Sequence, residues 1–99
     1  MIPFNQDKLL ADKVVALGVG EKDTFRPDMY TLGKFESVRY EADKYVRDWR
    51  VAGVCLEKAL QIGFMTLAAV VAKAIDDTGN AKSGSLPRAL IEAYVEASE

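Results

Sequence analysis

Few residues in this chain are able to do chemistry, and their types close off most familiar enzymology. The 99 residues include no histidine and a single cysteine, Cys55. The commonest general base, the Ser–His and Cys–His nucleophile pairs and the usual structural zinc ligands are therefore missing. Cys55 has only Lys58 and Arg50 near enough in sequence to draw off its proton, so it reads as a small buried apolar group. Glu36, Glu41 and Asp43 are carboxylates with no partner to set one as acid and another as base. Asp76, Asp77, Thr78 and Asn80 offer oxygens without the spacing or bidentate glutamate of a calcium loop, and read as a solvated turn. Leu17-Gly18-Val19-Gly20 superficially resembles a phosphate loop. It follows a helix, lacks a third glycine and precedes Glu21, so a helix stop accounts for it better. No catalytic residue, metal ligand or cofactor is assigned.

Recognition chemistry remains. Arg39, Lys44, Arg47 and Arg50 gather beside Tyr40, with positions 44, 47 and 51 on one helical face. Cations next to aromatic rings suit a phosphate or an acidic protein groove. The plainer account is a helix surface neutralised by Asp43 and Asp48. Phe25, Arg26, Tyr30 and Phe35 form a second set. Aromatic and arginine side chains together are the composition of a protein interface, provided the segment projects from the core. These nine residues are the expected partner-binding surface.

The element that must position them is Asp43–Leu60, DKYVRDWRVAGVCLEKAL. Tyr45, Trp49, Ala52, Leu56 and Ala59 recur at steps of four and three, the apolar stripe of an amphipathic helix. Asp43 with Arg47 and Lys44 with Asp48 are spaced as helical ion pairs. A central helix over about 41–60 follows, with Trp49 and Leu56 as a buried spine and Gly63 as its stop. Gly53 lies on the apolar side, where a close crossing by another element would explain it. A first helix over about 6–17 begins near Asn5 or Asp7 as cap and carries Leu10, Val14 and Leu17, ending at Gly18. A last helix over about 86–97 starts from Ser85 with Pro87 in its first turn and bears Leu86, Leu90, Ala93 and Ala97. Arg88 and Glu92 add an i,i+4 pair.

Two stretches are less regular. Gly20–Tyr40 has too many large apolar groups for a free linker and is expected to cover the core, with an extended piece at Tyr30–Leu32 and Lys34–Phe35. Gly63–Asp77 is alanine-rich, which favours helix, yet Phe64, Thr66, Val70, Val71 and Ile75 favour strand. As a helix it would be apolar nearly all round and would carry Asp76 and Asp77 at the wrong end of the dipole. A strand pair over about 64–76 is the preferred reading, with helix left open. The expected fold is α+β, three helices around a short hairpin or small sheet in one domain, the alternative being a small all-α bundle.

Thirteen basic and fifteen acidic residues leave a net charge of −2, neither the basic patch of a duplex binder nor the acidity of a nucleic-acid mimic. The lone cysteine and an N-terminus without signal-peptide form point to a cytoplasmic setting. Ile62–Ala72 is too short an apolar run for a membrane helix.

DKLLADKVVALGVG, VRDWRVAGVCLEKAL and SLPRALIEAYVEAS together resemble small proteins of tailed phages and prophages, relatives of the phage ABA-sandwich domain and more loosely of NinX-like proteins. The residues carrying the resemblance are Asp48–Gly53, Glu57 and Lys58, then Ser85–Ala89 and Ile91–Ala93, over about half the chain. They are mostly caps and core positions. The resemblance therefore implies helices flanking a small sheet and a phage accessory role in the bacterial cytoplasm, with no chemistry attached. The expected function is a non-enzymatic protein that binds and inhibits or redirects a host defence or regulatory complex. A nucleic-acid or nucleotide binder using the basic-aromatic face is the second reading. A self-associating structural protein, a homodimer through surplus apolar surface on the helix over about 41–60 or on the last helix, is the third.

Overall fold

The computed structural model describes residues 6–26, 29–32, 39–79 and 85–98. Among them lie α1 (Gln6–Ala16), β1 (Glu21–Lys22), β2 (Met29–Thr31), β3 (Tyr40–Glu41), α2 (Ala42–Tyr45), α3 (Trp49–Ile62), α4 (Phe64–Gly79) and α5 (Leu86–Ser98). Helix dominates, and the small sheet makes the fold α+β. There are five helices among the described residues where three were expected, and the sheet lies elsewhere.

α1 forms and stops as its sequence predicts. Gly18 takes φ +92°, its N–H bonds to the Val15 carbonyl and that of Val19 to Val14, which satisfies two carbonyls at the helix end. Val14 and Val19 are both buried by this reversal. Asp7 lies inside the first turn and turns its carboxylate to Arg47 and Arg88 instead of capping; Asn5 is outside the described residues.

The chain then forms an antiparallel sheet in the order β1-β2-β3, with Lys22 opposite Tyr30 and Tyr30 opposite Tyr40. The expected extended piece at Tyr30–Leu32 is therefore found one residue earlier, at Met29–Thr31, while Lys34–Phe35 falls outside the described residues. The core-covering role holds here, since Tyr30 and Thr31 are buried.

The single central helix is broken in two. Asp48 adopts extended backbone, φ −83° and ψ 126°, and its carboxylate accepts the Arg50 N–H at 2.8 Å, capping α3. With Asp48 so used, the expected Lys44–Asp48 pair gives way to Asp48–Arg50 at 3.1 Å. Arg47 reaches the backbone carbonyl of Asp43 rather than its carboxylate. The restart also sets the rotation of α3. Its buried stripe is Val51, Ala52, Cys55 and Ala59, small side chains that let other helices approach closely, while Trp49 is 61% exposed and Leu56 half-buried. Trp49 is thus no part of the spine. Gly53 faces solvent, with nothing within 4 Å of the position a Cβ would take, so no close crossing explains it.

Gly63–Asp77 is helical, correcting the strand reading. Gly63 alone departs from helical backbone (φ 165°, ψ 155°), and α4 follows immediately. Both objections to a helix are met locally. Lys73 lies 3.8 Å from Asp77 and 3.1 Å from Glu96, which offsets the acids at the helix end. Among the described residues of α4 only Val70 and Ala74 are fully buried; much of the remaining apolar surface stays in water. α5 closes the core with Ala89, Leu90, Ile91, Ala93, Tyr94 and Val95 buried, packed against both α3 and α4, with α1 on its other side. Ser85 accepts the Arg88 N–H at 3.5 Å, as expected of its cap.

Candidate interaction surfaces

The expected basic-aromatic face is present but largely neutralised. Arg39 pairs with Asp23 at 3.4 Å, Arg47 with Asp7 at 2.9 Å, and Arg50 with Asp48 at 3.1 Å. The Arg50 guanidinium also donates to the Tyr40 hydroxyl and lies 5.4 Å from the centre of that ring, a cation–π contact. Arg47 and Arg88 share one carboxylate. Burial pushes the Asp7 carboxyl up, but hydrogen bonds and charge from Arg47 and Arg88 outweigh it and hold the group below the usual range. Asp48 behaves alike under the hydrogen bonds and charge of Arg50. The face is a set of ties between elements, with Lys44 exposed at its edge.

The aromatic loop set divides. Tyr30 is removed from the surface: its ring is fully buried, stacked on Tyr45 at 5.4 Å, and its hydroxyl donates to Asp12. Tyr30 sits in the middle of β2, with Thr31 beside it buried as well. Phe35 lies outside the described residues. Phe25 and Arg26, in contrast, stand on the connection between β1 and β2, with Phe25 90% exposed. The base of this hairpin is held by Asp23 N–H to the Met29 carbonyl at 3.0 Å and by Met29 N–H to the Arg26 carbonyl at 2.8 Å. The Asp23 carboxylate receives the Phe25 N–H at 3.3 Å. Gly20, at φ +79°, brings the hairpin against the Tyr45 hydroxyl and the Thr31 carbonyl. Phe25 is therefore presented from an anchored base.

The residue types that could do chemistry are occupied otherwise. Burial pushes the Cys55 thiol up to about 12, with Lys58 pulling weakly the other way. No group of three or more His, Cys, Asp or Glu placed to hold a metal occurs among the described residues. A groove of about 360 Å³ between α1 and α5 is lined by Leu9, Lys13, Arg88, Glu92 and Glu96 among others. Arg88 there is already tied to Asp7 and Glu92, at 2.9 and 2.7 Å. Glu41 and Asp43 are exposed, and Glu36 and Asn80 lie outside the described residues.

Sequence reasoning allowed surplus apolar surface on the helix over about 41–60, but took Trp49 as buried and missed the exposed face of α4. Trp49, Leu60, Ile62, Phe64, Met65 and Ile75 are all more than half exposed. The signal was present in the apolar excess of Gly63–Asp77, which the strand reading absorbed. No helix among the described residues is long and apolar enough to cross a membrane. Compared with protein-family models, curated proteins and solved structures, the chain finds no match.

Proposed function

We propose that the chain is a non-enzymatic binding protein that occupies a surface of a bacterial host protein, a phage accessory role in keeping with the resemblance of its DWRVAG and SLPRALIEA stretches. One observation carries the reading: Phe25, 90% exposed beside Arg26, stands on a hairpin whose base is pinned to the body. An aromatic ring held in water by a fixed backbone loses little freedom on docking, and a neighbouring guanidinium supplies direction. The two hairpin residues inherit the role first given to nine. The nucleic-acid reading is weaker, because Arg39, Arg47 and Arg50 are each engaged by a carboxylate.

The test is affinity capture from bacterial lysate with the wild-type chain and with Phe25→Ala. A stoichiometric host protein recovered by the wild type and lost by the variant, at unchanged circular dichroism, is the expected result. Recovery of no stoichiometric partner, or capture indifferent to Phe25→Ala, overturns it.

A further inference from the structure

Apolar side chains stand in water on both α3 and α4, and those of α3 are spaced to complement a copy of themselves. Trp49, Gly53, Leu56 and Leu60 follow at steps of four, three and four, one line along a helix. Trp49 is 61% and Leu60 51% exposed. Past the elbow at Gly63, α4 exposes Phe64 and Ile75 on one of its own faces, 72% and 59% in water. The opposite flank of α4 faces α5 through the Lys73–Glu96 pair, so α5 does not cover this one.

Size comes first. At these fractions Trp49, Leu60, Phe64 and Ile75 leave on the order of 500 Å² of apolar side chain in water, taking roughly 150–250 Å² for a whole aromatic. That is roughly the size of the largest apolar patch on a monomer, often a functional one, and with its rim it approaches the roughly 800 Å² per partner of a stable complex.

Pattern identifies the occupant. The spacing of the α3 line, four, three and four, is symmetric about a point between Gly53 and Leu56. Laid antiparallel on a copy, it sets Trp49 against Leu60 and Gly53 against Leu56 at both ends, so each leucine at the centre meets a position without a side chain. A parallel two-fold copy would instead set Gly53 against Gly53 and Leu56 against Leu56, small on small and large on large. We propose that a second copy of this chain covers the α3–α4 surface, in a two-fold dimer with α3 antiparallel to α3 about the Gly53–Leu56 centre.

Light scattering on the full chain at low and high micromolar concentration tests this. The expected mass at the higher concentration is twice the 10.9 kDa of one chain. Gly53→Gln is the discriminating variant, because the monomer has room for the new side chain and the helix gains from it, while the copy's Leu56 is excluded. In dilute, monomeric protein it should keep or raise the melting temperature, yet it should weaken the dimer at least about tenfold. A wild-type monomer at the higher concentration overturns the proposal and leaves the surface to a different partner. So does a dimer that Gly53→Gln and Trp49→Glu both leave intact. Phe25→Ala should not change the mass; a fall in mass there would place the contact on the hairpin and also overturn the proposal.

Discussion

Tyr30 and Tyr45 lie stacked, ring centroids 5.4 Å apart and planes at 25°, with both side chains excluded from water. The pair joins β2 to α2 and so fastens the sheet to the helices. Tyr45 also donates its hydroxyl to the Val19 carbonyl at 3.0 Å, which ties in the turn after α1. Tyr45→Phe should cost about 1–2 kcal/mol, since a buried carbonyl loses its donor. Tyr45→Ala should cost about 3–5 kcal/mol through the cavity left behind. Urea titration of both variants measures the difference.

Trp49 and Val51 should behave opposite to their size. Trp49 is mostly in water and Val51 is 1% exposed. In dilute protein, Trp49→Ala should shift stability by less than about 1 kcal/mol, within the range of surface substitutions. Val51→Ala should cost about 2 kcal/mol from lost burial and incomplete collapse. Thermal melts at low concentration, where self-association is absent, check the order; a larger loss for Trp49→Ala would contradict the placement of α3.

Cys55 should resist thiol reagents in the folded chain. Its side chain is buried, and the thiolate is disfavoured until about pH 12. Modification at neutral pH should be slow and rise with urea in step with unfolding. Rapid labelling in buffer would show the thiol to be open.

Acid should destabilise the chain through Asp7. Its pKa is lower in the folded protein than the ordinary 3.8, so folding favours the charged form. That contribution is fully present above the unfolded value and is lost as pH falls through the folded one. Asp12 and Asp48 are lowered too and add to the same acid limb. Asp7→Asn should cost about 1–2 kcal/mol at pH 7, because Arg47 and Arg88 each lose a charged acceptor. It should also flatten the dependence of stability on pH below about 4. Denaturation midpoints of both proteins between neutral and strongly acidic pH give the comparison.

The elements legible in the sequence are those whose ends carry their own chemistry. Gly18 with Val19 marks the close of α1, Gly63 the close of α3, and Ser85 with Pro87 the start of α5; these act within one turn of backbone. The break at Asp48 was the harder feature. An aspartate inside an apolar period reads equally as a surface charge paired with Lys44, and only its cap geometry separates the two. That one cap turned α3, so the buried line passes through Val51 and Cys55 while Trp49 faces out. In Gly63–Asp77 the period could not arbitrate, because a helix left half uncovered and a buried strand pair show the same apolar run. Of the expected surface, Phe25 and Arg26 project from the connection between β1 and β2, while Tyr30 is held inside by its stacking on Tyr45 and its bond to Asp12, contacts between distant stretches that no local pattern announces.

Between Trp49 and Gly79 the backbone leaves the helical region at residue 63 alone. Nothing stands within 4 Å of a Cβ there, and its torsion angles are open to any residue. A straightened rod over that stretch would be roughly 46 Å long, beyond the 38 Å of the molecule's greatest extent. It would also strip Val70 and Ala74 of their cover. The elbow therefore persists through what it shelters rather than through its own stereochemistry.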